Sequence, residues 1–164
     1  MAISDFYTVR AVVTLASTAV TPLISLISPA TKRSWLTGIR VEIGQTAAVP
    51  GNDVVFQVSR PNATNTATGL ATVAGHDFSA PNSLSSYALT WSTAPVLSTA
   101  AGGILTDHTL PQTSGSMWEE FPPTGSEWGV PAIATGAANS GLHLFATATV
   151  ATSTPLIVDL IFSE

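Results

Sequence analysis

Cysteine is absent from the 164-residue chain, which excludes disulfides, zinc–thiolate sites and thiol nucleophiles. Charge is almost as scarce. Lys and Arg number 5 and Asp and Glu 10, so 9% of residues are charged, against about 25% in ordinary soluble domains. A net charge of −5 and a pI near 4.9 leave no surface able to neutralise a phosphate backbone, so nucleic acid is excluded as a partner. Uninterrupted apolar runs are lacking too. The most apolar stretch, Ala11 to Ser28, is broken by Thr14, Ser17, Thr18, Thr21 and Pro22. That is too interrupted for a membrane-spanning helix, and no membrane partner is expected.

The same stretch follows Arg10 and contains Ala16-Ser17-Thr18-Ala19, features of a secretory leader. Against that, Asp5 sits where a leader is basic. Tyr7, Val9, Ala11, Val13 and Leu15 also alternate with Thr8, Arg10 and Thr14, which is strand periodicity. We expect a cytoplasmically made protein whose first strand starts near Phe6. What the chain has in quantity is hydrophobic side chains, 45% of the total, and together with the low charge this excludes intrinsic disorder. A 16.8 kDa chain folds to roughly 7,600 Å² of accessible surface. Spread over it, the charges stand one per ~500 Å², as large as the biggest apolar patch an ordinary monomer exposes.

Thr and Ala each make up about one residue in seven. Thr favours strands, while Ser, Gly, Pro and Asn punctuate them. Ile39, Val41 and Ile43 alternate with Arg40 and Glu42, and Val54, Phe56 and Val58 follow the turn Pro50-Gly51-Asn52-Asp53. Leu142, Leu144, Ala146, Ala148 and Val150 oppose His143, Phe145, Thr147 and Thr149. Further turn signals stand at Pro61-Asn62, Ala74-Gly75, Gly102-Gly103, Pro122-Pro123, Thr124-Gly125 and Ser140-Gly141. Leu84, Tyr87, Ala88 and Trp91 match helical spacing with Asn82 as a cap, although Tyr87, Leu89 and Trp91 fit a strand equally well. No repeat, linker or charge block divides the chain. The pattern predicts one all-β domain over residues 1–164, an antiparallel β-sandwich of jelly-roll type, with 1–29 as first strand or N-terminal arm.

The last strand is apolar on both faces. Leu156, Val158, Leu160 and Phe162 lie on one side, with Ile157 and Ile161 around Asp159 on the other. Such a strand is either covered twice within one subunit or packed against a neighbour. The sparse charge favours the neighbour, making Ile157, Asp159 and Ile161 candidate subunit-interface residues. His143 and Phe145, on another strand-like run, join them.

Few residues carry recognisable chemistry. No G-x-S-x-G elbow is present. His76-Asp77 and Asp107-His108 are sequence neighbours, which point to opposite faces on a strand. Glu119, Glu120 and Glu127 could pair across a sugar only through loop folding. Asn52-Asp53 and Asp77 lack the repeated oxygen ligands of a calcium loop. Asn62-Ala63-Thr64 matters only in a secreted eukaryotic protein. We expect no enzyme, no metal and no cofactor. Of four tryptophans, Trp118 and Trp128 flank Phe121-Pro122-Pro123-Thr124-Gly125 beside glutamates. Trp118, Phe121, Glu127 and Trp128 either form a partner or sugar site or close the ends of the sandwich. Trp35 and Trp91, beside strand-like runs, read as structural.

Ser34-Trp35-Leu36-Thr37-Gly38-Ile39-Arg40 leads a strand, Trp91-Ser92-Thr93-Ala94-Pro95 follows a Pro/Asn-rich segment, and a long loop ends at Glu127-Trp128. Gly136 to Leu144 then reads GAANSGLHL before a closing hairpin. In this order, from about Ser34 to Glu164, the chain resembles small β-sandwich proteins encoded among the structural genes of tailed bacteriophages. Some of these resemble trimeric head-decoration, or cement, proteins. The resemblance implies a homotrimer bound to the major capsid protein on the virion exterior, made in the host bacterial cytoplasm, with no catalytic residues. The alternative is a carbohydrate-binding or host-adhesion module of a phage particle, using Trp118, Trp128 and Glu127.

Overall fold

A computed structural model describes residues 6–29, 31–44, 52–60, 65–74, 81–123, 127–130 and 141–164. Asn62, His76, Asp77 and the segment Gly136–Ser140, all considered above, lie outside these, as do the turn residues Pro50, Gly51, Thr124 and Gly125.

Period-two runs become strands wherever one face can be buried. Five matter first: β1 (Phe6–Leu15), β2 (Thr21–Ile27), β3 (Ser34–Ile43), β4 (Asp53–Ser59) and β9 (Ile104–Pro111). Of these, β4 and β9 pair with each other, and the rest pair with β10 (Met117–Glu120), β12 (Leu142–Ala148) and β13 (Thr154–Ser163), in a nested order. First meets last, β1 with β13; then come β2 with β12, β3 with β10, and β4 with β9, all antiparallel. The chain is thus one long folded-back ribbon. Rolling it up adds two more pairings, β13 with β3 and β12 with β4. The result is two facing sheets, β1-β13-β3-β10 and β2-β12-β4-β9. This is a jelly roll, as the strand count and periodicity predict. β11 (Trp128–Val130) extends the first sheet beside β3.

The inward rows are the ones read from sequence. Ile39, Val41 and Ile43 meet Val54, Phe56 and Val58, and Leu156, Val158, Leu160 and Phe162 meet Leu142, Leu144, Ala146 and Ala148, in a single core cluster. Tyr7 stacks on Phe162 with ring centroids 5.3 Å apart. Burying each such side chain contributes about 1.5–3 kcal/mol, which suffices without a disulfide.

The excursion between β4 and β9 carries the remaining strands: β5 (Thr66–Thr68), β6 (Ala71–Thr72), β7 (Ser86–Ala88) and β8 (Thr90–Thr93). Here the choice between helix and strand that the spacing leaves open goes to strand: Tyr87 and Ala88 lie on β7 and Trp91 on β8, and the described residues contain no helix. Tyr87 pairs across β7 with Leu26 of β2, so tertiary pairing outweighs a local period that fits both states. β5 and β8 form a separate two-stranded ribbon, while β6 and β7 lengthen the second sheet.

Candidate functional site

Each sheet has an outer face, and the chain treats them differently. On the second sheet, Ser25 of β2 sits opposite His143 of β12. Their Oγ and Nδ1 atoms hydrogen-bond at 2.6 Å, and the Trp91 Nε1–H of β8 donates to the same Ser25 Oγ at 3.0 Å. Two residues along the same strand, Phe145 lines a hollow of about 330 Å³ together with Val20, Pro95, Val96, Leu97 and Thr99. Ser59 of β4 accepts the backbone N–H of Ser98. The β4–β9 excursion therefore lies over this face. His143 is 0% and Phe145 1% exposed. The expectation that both face a sister subunit is corrected, because their own chain covers them.

The outer face of the first sheet has no such cover among the described residues. Register places Arg10, Asp159, Arg40 and Glu119 in one row across four strands. The row is neutralised from within: Arg10 Nε lies 3.2 Å from Asp159, and Arg40 pairs at 3.4 Å with both Glu119 and Glu42. On one side of it stand Val12, Ile157, Glu42 and Met117; on the other stand Thr8, Ile161, Gly38 and Phe121. Val12 is 69% and Phe121 58% exposed. The Phe121 ring lies across Gly38, where a Cβ would come within 2.5 Å of it. Ile157, Asp159 and Ile161 are half-buried on this bare face.

The four residues offered as a partner site are not brought together. Trp118 points into the sandwich, 5% exposed, beside Phe56 and stacked on His108 at 5.4 Å. Its indole closes the edge between β9 and β10 and offers no surface to a partner. Trp128 pairs with Leu36 and packs on the core. Phe121 belongs to the bare face, and Glu127 to a different place again.

That place is a concavity of about 390 Å³ at the end of the sandwich, lined by Arg33, Trp35, Arg60, Glu127 and Gly129. Trp35 leaves β3 outward, opposite Gly129 of β11. A Cβ on Gly129 would stand 3.1 Å from the indole, so glycine lets the ring lie close. The Arg33 guanidinium sits over the same ring at 5.3 Å. Arg60 arrives from the end of β4, in the other sheet. Reading the sequence singled out neither arginine and took Trp35 as structural. The rarity of basic residues was the available signal, but only the rolled fold brings residues 33 and 60 to one wall.

No protein-family model matches the chain, and no curated protein does. Among solved structures, a chain from Desmodium yellow mottle tymovirus is similar at 11% identity and a TM-score of 0.34, covering 99% of this chain and 88% of that one. A chain of the decameric BFDV capsid protein is similar at 6% identity and a TM-score of 0.28, covering 99% of each. Likenesses this distant decide nothing here. The functional reading rests on the chain's own geometry.

Proposed function

We propose that this chain is a non-enzymatic structural component of a virion, a homotrimer that decorates and stabilises the outside of a phage capsid. The observation that carries the reading is the bare face of the first sheet. Its charged side chains pair with one another, Glu42 included, and large apolar side chains stand exposed among them. A patch of this kind marks a surface made to be covered. Jelly rolls serve viral shells and also lectins, so the face rather than the fold is the ground for preferring assembly. Ile157, Asp159 and Ile161 contact a sister subunit, and the remainder of the face, with Phe121 at its margin, meets the major capsid protein. The sugar site built on Trp118 and Trp128 loses support, because one indole is buried and the other packs on the core.

Mixing the purified protein with undecorated capsids tests this. Saturable co-sedimentation at a fixed ratio to capsid protein, abolished by Phe121→Asp or Val12→Asp in correctly folded variants, is the expected result. Absence of co-sedimentation across capsid maturation states would overturn it.

A further inference from the structure

The chain has five basic side chains: Arg10, Lys32, Arg33, Arg40 and Arg60. Three are matched to carboxylates, Arg10 to Asp159, Lys32 to Glu164, and Arg40 to Glu119 and Glu42. The other two have no acidic partner within 4.0 Å among the described residues, and both line the 390 Å³ concavity. In a protein of net charge −5 whose other cations are all neutralised, placing the remaining two in one hollow is a local inversion of the charge pattern. Arg33 also sits over the Trp35 ring, a cation–π contact that favours a position beside the indole.

We propose that the concavity formed by Arg33, Trp35, Arg60 and Glu127 binds a carboxylated sugar, such as a hexuronate residue of a host-surface glycan. Two guanidinium forks suit a planar carboxylate, which each can hold bidentately. Glu127 decides between anions. Inorganic phosphate or sulfate near neutral pH brings mainly further negative charge against that carboxylate. A sugar acid brings hydroxyl donors as well, and Glu127 accepts from them. Trp35 supplies an apolar wall for the C–H face of a pyranose ring. The volume lies within the range of small-molecule sites and suits one or two sugar rings. The lining shares no residue with the contacts assigned to Val12, Met117, Ile157 and Phe121, so glycan binding and assembly are read out by different variants.

Calorimetric and tryptophan-fluorescence titration of the full chain with glucuronate, glucose and inorganic phosphate tests the site. Saturable binding of glucuronate, with glucose silent and phosphate weaker, is the expected result. Arg33→Gln and Arg60→Gln should each weaken glucuronate by roughly tenfold or more, the scale of one charge-assisted contact. Arg10→Gln, outside the concavity, should bind as the parent does. Because Arg33 and Arg60 are exposed, neither variant is expected to lower the melting temperature appreciably, and Arg33→Lys provides a second, charge-preserving variant. Three results would each overturn the proposal: no saturable glucuronate binding, glucuronate affinity unchanged in both glutamine variants, or phosphate binding tighter than glucuronate.

Discussion

The two outer faces of this sandwich start from the same material and end differently. On the second sheet, described residues between β4 and β9, Trp91 and Ser98 among them, reach over the face on which Ser25, Ser59, His143 and Phe145 are buried. On the first sheet, Val12, Met117 and Phe121 are left exposed around a row of internally paired charges. An apolar outer face must be covered by something, and where the chain has covered one face itself, the other is left for a different molecule. The 9% charge content fits this division, because little surface has been reserved for water.

The comparison breaks most visibly on the covered side. Phe145→Ala should destabilise the fold by about 3–5 kcal/mol, the usual cost of emptying a buried aromatic site. Val12→Ala, its counterpart on the bare face, should change the stability of the dissociated subunit by no more than about 0.5 kcal/mol. Urea unfolding at high dilution measures both. Similar losses in the two variants would mean that both faces are covered within one subunit. The next effect is Trp91→Phe, which keeps the ring but removes the donor to Ser25 inside a buried network. We expect about 1–2 kcal/mol of destabilisation, with faster amide exchange at β8 and in the middle of β2.

Strand periodicity makes much of the sandwich legible, since the inward rows of β1, β3, β4, β12 and β13 show as alternation in the sequence, while those of β2, β9 and β10 do not. Leu156, Val158, Leu160 and Phe162 needed only one partner face to become a core row. The outward rows were harder. His143 and Ile157 look alike in sequence, each a residue on the second face of a strand, yet one is covered by its own chain and the other is not. Nothing local to either residue encodes where the 60–103 excursion will lie. Trp35 stands outward although it reads as structural, beside the irregularity at residues 36–38 and 161–162 that changes which side a side chain takes. Arg33 and Arg60 meet only through the rolling of the ribbon, a long-range event that no spacing announces.

Smaller effects sharpen the bare face. Gly38→Ala forces the Phe121 ring aside, and because that ring is exposed the fold should lose about 1 kcal/mol or less, while capsid binding falls. Equal capsid affinity in Gly38→Ala would remove Phe121 from the contact. The smallest effect belongs to the charge row. Arg10→Ala should cost less than about 1 kcal/mol, because its side chain is largely exposed, and assembly should depend only weakly on salt. A steep loss of assembly between low and moderate salt would show that the charges, rather than the apolar flanks, hold the contact.

Sedimentation equilibrium of the parent chain and of Ile157→Lys, run side by side at micromolar concentration with a thermal melt on each, tests the uncovered face most directly. We predict a trimer for the parent and a folded monomer for Ile157→Lys. A parent chain that sediments as a monomer, or a variant that assembles as the parent does, would contradict the assignment of this face to a sister subunit.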